Sequence, residues 1–241
     1  MAYGAYDQGA DDRGLSTQLW LGLNPDVVGN DPRGGTFFKE DFNTLNGTDN
    51  YTLTLATTGT FGLSTTEVDG VGLLASGSTT AGQGGNLQWQ GPLVIPAAGK
   101  KIIFETRLKV VDAATGPEIF AGLAMIEDTI IASGAIFTVD HVGFYGVNAV
   151  DKELVFACED TDVATVGSET PHTLVEDTYV KLGFVIDGVS GVKIFVDGTE
   201  IVNTTAMDIP EGVVLVPSFV CQSDDTTDPV THIDWFAVGV I

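Results

Sequence analysis

The stretch LGFVIDGVSGVKIFVDGTEIVN, residues 182–203, decides the fold. Two apolar runs each close on an Asp-Gly pair, Asp187-Gly188 and Asp197-Gly198, and both residue types tolerate the positive φ of a tight turn. The segment therefore predicts consecutive antiparallel strands, a meander. Just upstream, Val180, Leu182, Phe184 and Ile186 alternate with Tyr179, Lys181, Gly183 and Val185, the two-residue period of a strand with one buried face. In KIIFETRLKV, residues 101–110, Ile102, Phe104, Thr106, Leu108 and Val110 oppose Ile103, Glu105, Arg107 and Lys109, so one face is apolar and the other is expected to meet solvent. In THIDWFAVGVI, residues 231–241, alternation places Ile233, Trp235, Ala237 and Gly239 on one face, with Asp234, Phe236, Val238 and Val240 on the other. Both of those faces are apolar enough for a strand inside a sandwich.

The rest of the chain repeats this texture. Hydrophobic residues make up 44% against 18% charged, with 13 Phe, which is enough apolar material for a core and excludes global disorder. Thirty Gly stand with many Thr, Asn and Asp between short apolar runs. Strands are predicted at 37–42, 52–57, 62–66, 70–75, 86–90, 101–110, 118–125, 141–147, 154–159, 178–187, 192–196, 213–222 and 231–240. Residues 125–132 show a weak helical period that suits a loop or strand equally well, and no repeat of fixed length is present. The reading is all-β: a two-sheet antiparallel sandwich over residues 37–241, preceded by an extended N-terminal arm at 1–36 rich in Gly, Asp, Asn and Pro. The arm carries one apolar anchor, Leu19, Trp20, Leu21 and Leu23. That anchor must bury itself on its own domain or on a neighbouring subunit, and the second is the expectation.

Charge narrows the partners. Thirty-three Asp and Glu against ten Lys and Arg leave a formal net charge of −23, which repels nucleic-acid phosphates and anionic membranes. No stretch approaches a transmembrane span, and residues 1–30 lack the basic start and apolar core of a signal peptide. Cys158 and Cys221 have no metal-binding spacing; a disulfide requires neighbouring strands, and a buried free thiol is the commoner state.

Catalytic patterns are absent. A glycosidase needs two carboxylates on one strand face, and Glu159 with Asp162, or Asp225 with Asp228, sit in turn-like acidic clusters instead. His141, His172 and His232 accompany no nucleophile elbow or Cys-His pairing, and AAGKK at 97–101 is not a phosphate loop. The acidic loops holding Asp160 and Asp162, and Asp224, Asp225 and Asp228, suit calcium, a hard cation that takes carboxylates, if their strands lie side by side. The alternative is two solvated turns. Trp89, flanked by Gln88 and Gln90, and Tyr145 are the aromatic candidates for holding a glycan, with Trp89 expected to be exposed.

The order of an opening strand ending Glu40-Asp41-Phe42, then KIIFETRLKV, HVGFY, YVKLGFVIDG, VKIFVDGTEI and HIDWFAVGV resembles the concanavalin-like or laminin-G-like jelly roll. RGLSTQLW at 13–20, followed by a FF-x-EDF opening strand, is also similar to accessory structural proteins of tailed bacteriophages, of the capsid-decoration type. That resemblance implies a non-enzymatic virion component, located in the virion and docking on other virion proteins such as the major capsid protein. It further implies a closed homo-oligomer with no cofactor unless calcium is held. The jelly roll alone implies the alternative, a carbohydrate-binding or adhesion module that recognises a surface glycan.

Overall fold

The computed structural model describes residues 13–21, 35–43, 50–67, 70–91, 93–111, 118–127, 131–132, 135–136, 139–146, 152–161, 166–189, 191–204, 207–224 and 226–241. Its strands are β1 (Thr36–Glu40), β2 (Tyr51–Leu55), β3 (Thr60–Leu63), β4 (Gly72–Ala75), β5 (Gly84–Trp89), β6 (Lys101–Val111), β7 (Glu118–Met125), β8 (Ile131–Ala132), β9 (Ala135–Ile136) and β10 (His141–Gly146). They continue with β11 (Glu153–Glu159), β12 (Val166–Thr173), β13 (Val180–Asp187), β14 (Gly191–Val196), β15 (Thr199–Thr204), β16 (Leu215–Gln222) and β17 (Val230–Val240). Sheet A runs β15-β14-β13-β6-β17-β4-β3, with β1 also paired to β17; sheet B runs β12-β11-β10-β7-β16-β5-β2. Every pairing in both sheets is antiparallel. The protein is a two-sheet jelly-roll sandwich. No helix occurs among the described residues, and the segment 125–132 splits between the end of β7 and the small β8–β9 hairpin, with 128–130 outside the described residues.

The deciding stretch folds as read. β13 pairs with β14 from Leu182 opposite Val196 to Asp187 opposite Gly191, and Gly188 takes a positive φ in the turn. At the next turn Asp197 and Gly198 both have positive φ, the geometry that a two-residue hairpin needs to match strand twist. Between the sheets lies an aromatic core in which Phe104 stacks on Phe184 at 5.1 Å and Phe219 meets Phe236 at 5.4 Å. β8, β9, β12 and β15 exceed the strands predicted individually.

Two face assignments are corrected. The pairing of β17 with β6 slips between Ile233 and Trp235, which makes Asp234 the extra residue of a bulge. The bulge resets the alternation: Ile233 joins Phe236 and Val238 in the core, while Trp235 and Ala237 turn to the outer side of sheet A. The charged face of β6 does not meet solvent either. Glu105 is 1% exposed, and Arg107 and Lys109 are also buried, because the segment Arg13–Leu21 lies over this face and Tyr179 covers Arg107 with its ring centre 3.9 Å from the guanidinium.

Candidate functional site

Trp89 closes β5, where the rim of sheet B faces β1 of sheet A. Its ring is 4% exposed and packs among Tyr51, Phe42 and Phe236, which corrects the expectation that it stands free on the surface. It nonetheless lines a cavity of about 390 Å³ together with Phe38, Glu40, Asn50, Gln90 and Gly91. Phe38 and Trp89 supply apolar wall, and Glu40, Asn50 and Gln90 supply polar groups. Antiparallel pairing sets this geometry: Tyr51 lies opposite Trp89, and Gln90 N–H donates to the Asn50 carbonyl at 2.8 Å, which fixes the two amide-bearing residues side by side. Gln90 Nε2 also donates to Thr52 Oγ1 at 3.1 Å. Across the opening, Glu40 Oε1 accepts from Phe42 N–H at 2.8 Å, and burial raises the Glu40 carboxyl above its ordinary pKa. Among these residues the sequence reading singled out Trp89 and its flanking Gln90 but missed Asn50, which carries no signal beyond its place at the end of a turn-rich run.

Tyr145 is half-buried on the outer face of sheet B, with Phe120, Ala124, Val139 and Val220 near it. Trp89 points into the core from β5, three strands away in the sheet order, so the two candidate aromatics do not form one site. That outer face is occupied by the chain itself. Gln88 Nε2 donates to the Met125 carbonyl at 2.9 Å while its Oε1 accepts from Glu127 N–H at 2.9 Å, and Asn86 Nδ2 donates to the Glu127 carbonyl at 2.7 Å. His141 is buried here as well, its Nδ1 donating to the Val139 carbonyl at 2.8 Å, and desolvation lowers its pKa to about 4.

The acidic loops do not converge in the way their cysteines suggested. β10 and β7 separate β11 from β16, and Cys158 and Cys221 are buried free thiols. Asp224 Oδ1 accepts from Thr226 and Thr227 of its own turn, and Asp228 Oδ1 accepts from Ser76 Oγ at 2.6 Å. Asp160 directly follows β11; Asp162 and Asp225 lie outside the described residues. Among the described residues no group of three or more His, Cys, Asp and Glu is placed to hold a metal ion.

The arm anchor divides. Leu19 and Trp20 are buried on the outer face of their own sheet A, against Ile103, Val185, Phe195, Trp235 and Ala237, which corrects the expectation of a neighbouring subunit for these two residues in this chain. Leu21 is 79% exposed, and Leu23 lies outside the described residues. Polar contacts hold the segment down. Ser16 N–H and Trp20 Nε1–H both donate to Glu105 Oε2, at 3.1 and 2.7 Å, and Lys181 Nζ donates to the Gly14 carbonyl at 3.0 Å. Arg13 Nε donates to Asp234 Oδ2 at 3.0 Å and its Nη2 to Oδ1, while Arg107 Nη1 takes the same Oδ2 at 2.7 Å. Burial raises the Glu105 carboxyl pKa, and the bonds from Ser16 and Trp20 and the charge of Lys181 pull the other way.

No family model matches the chain, and no curated protein matches its sequence. Solved structures share the fold. A protein of unknown function from Shewanella oneidensis MR-1 superposes with a TM-score of 0.59 at 16% identity, over 85% of this chain and 85% of the other. The carbohydrate recognition domain of Emp47p gives 0.55 at 12% identity, over 84% and 93%. An endo-1,3-beta-glucanase from Streptomyces sioyaensis gives 0.55 at 14%, over 85% and 95%. The chain thus has the concanavalin-like architecture found in both lectins and glucanases. Among the described residues, however, no strand carries two carboxylates two or four positions apart.

Proposed function

We propose that this protein is a non-catalytic carbohydrate-binding module whose ligand, a neutral glycan, seats in the rim cavity beside Trp89. The observation that supports this is the composition of that cavity: apolar wall from Phe38 and Trp89, with the carboxylate of Glu40 and the side-chain amides of Asn50 and Gln90 around it. Sugars offer hydroxyls that both donate and accept, and C–H faces that pack on aromatic surface, so a carboxylate acceptor, two amides and the partly exposed ring of Phe38 form a matched set. A net charge of −23 disfavours an anionic glycan. The carbohydrate recognition domain with the same architecture adds support at the level of fold. The described strands hold no two carboxylates two or four positions apart, which supports a non-catalytic reading.

The test is a neutral-oligosaccharide array followed by calorimetry on the hits, with reducing ends assayed in parallel. Asn50 and Gln90 are exposed, so Asn50→Ala and Gln90→Ala leave the core untouched; each is expected to weaken binding about tenfold, in line with the loss of one ligand hydrogen bond. An array without hits, or hits indifferent to both substitutions and to Glu40→Gln, would reject the site. Release of reducing ends would reject the non-catalytic part. The virion reading rests on the resemblance of residues 13–20 and 36–42 alone.

A further inference from the structure

Strand β1 presents its two faces to two different cavities. Phe38 and Glu40 line the rim cavity, whereas Lys39 and Asp41, the residue directly after the strand, line a second cavity of about 240 Å³ with Arg13, Asn43 and Trp235. Alternation puts Lys39 and Asp41 on one side of the chain, ~7 Å apart at the rise of an extended backbone. Their charges are opposite, yet no ion pair joins them, and neither has an ion-pair partner among the described residues. Lys39 Nζ stands 5.4 Å from the centre of the Trp235 ring. That indole is 1% exposed, and its Nε1–H has no acceptor among the described residues, a buried donor left unsatisfied. Charges farther off than about 8–10 Å are screened at ordinary salt, so these near groups, and not the net −23, set the field that a small ion meets in the cavity.

We propose that this second cavity binds a free amino acid as its zwitterion. Lys39 receives the α-carboxylate and Asp41 the α-ammonium, each through a charge-assisted hydrogen bond. A simple anion would face the like charge of Asp41, and a simple cation the like charge of Lys39; a molecule with both signs on one carbon satisfies the two together. A carboxylate oxygen held by the Lys39 ammonium lies against the indole, and once the exposed Lys39 chain draws toward the ligand it gives Trp235 Nε1–H the acceptor it lacks. Asn43, also exposed, brings an amide that both donates and accepts, and the indole ring offers apolar wall to the ligand's side chain. The volume lies just below the range of ~300–1,000 Å³ usual for drug-sized ligands, which suits a single amino acid. No residue is shared with the rim cavity, so this site stands or falls apart from the glycan reading.

The test uses the full chain labelled with ¹⁵N, and follows the assigned indole N–H resonance of Trp235 while L-alanine or L-leucine is added to millimolar concentration. The expected result is a saturable downfield shift of that resonance, with those of Trp20 and Trp89 unmoved. N-acetylalanine, which lacks the ammonium, and alaninamide, which lacks the carboxylate, should each bind about tenfold more weakly or worse. Lys39→Gln and Asp41→Asn should each lower the affinity for alanine by about the same factor; the asparagine keeps the side-chain oxygen that accepts from Asn43 N–H, so the local turn survives. Two variants on an exposed or half-buried surface keep the reading available should one of them fail to fold. Absence of a saturable shift with either amino acid, an equal response to acetate or to alaninamide, or a folded Lys39→Gln or Asp41→Asn protein with wild-type affinity would each overturn the proposal.

Discussion

Gly183 is the position at which the arm and the sheet test one another. It sits on β13 opposite Glu105 of β6, and a Cβ there would come within 2.3 Å of Leu19 Cδ1, 3.1 Å of the Phe104 carbonyl oxygen and 3.4 Å of Glu105 Cγ. The first contact is impossible, but it is with the end of a flexible side chain. The second asks the sheet to yield by a few tenths of an ångström. Gly183→Ala therefore expels Leu19 from its seat, at a cost of about 1–3 kcal/mol typical of overpacking. Reduced freedom of the unfolded chain offsets roughly 0.4–1 kcal/mol of this, since φ at Gly183 is not positive. A net loss of about 1–2 kcal/mol is expected. Leu19→Ala alone should cost about 2 kcal/mol, the low end for a buried leucine, because the arm can settle partway into the space. In the double variant the clash has gone, so Gly183→Ala should be near neutral or slightly stabilising. The cycle is measured by urea unfolding, with protease cleavage after Arg13 as a local readout of the arm. A coupling energy of about 1–2 kcal/mol supports the packing. Equal cost of Gly183→Ala in both backgrounds would refute it, because Leu19 could not then be what the new methyl meets.

Two further outcomes follow from buried titratable groups. His141 has its pKa lowered to about 4 from 6.5, so the unfolded chain takes up the proton first; its contribution is fully present above pH 6.5 and is lost as pH falls from there through about 4. The difference amounts to about 3 kcal/mol between the two limits, and His141→Asn should flatten that part of the urea stability curve between pH 7 and pH 4; an unchanged slope would place the proton uptake elsewhere. Burial pushes the Cys221 thiol up to about 11 and raises that of Cys158 as well, so neither should react with a thiol reagent at pH 8 until denaturant is added, and labelling of the native protein would contradict their burial.

Strand identity is legible wherever one face is apolar and the turns are marked. β6 and β13 follow from alternation, and the β14–β15 turn from Asp197-Gly198. β12, Val166–Thr173, is not legible, since VGSETPHT holds one large apolar residue and a proline and is a strand only because β11 pairs with it from Glu153 to Glu159. The bulge at Asp234 is equally silent: inserting one residue reverses the phase of everything after it, and alternation read straight through β17 places Trp235 on the wrong side. The rim cavity is half legible. Trp89 and Gln90 stand out as an aromatic with a polar flank, while Glu40 and Asn50 reach them only through the approach of β1 to the β2–β5 edge, which no local pattern encodes.

The misread face of β6 shows what periodicity omits. Alternation states which residues share a side, and charge on that side suggests water, but a third layer can replace water if it brings matching groups. Here it does. Arg13 lies 221 positions from Asp234, and Trp20 lies 85 positions from Glu105. The ten cations of the chain are scarce beside 33 acids, yet Arg13, Arg107, Lys109 and Lys181 gather on this one face, where they pair with Asp234, Glu67 and Asp177 or bond to the arm's own backbone. Drawing these four cations onto one face leaves the acidic surplus to the rest of the surface. The same cluster that misled a strand-by-strand reading is what seats residues 13–21 on sheet A.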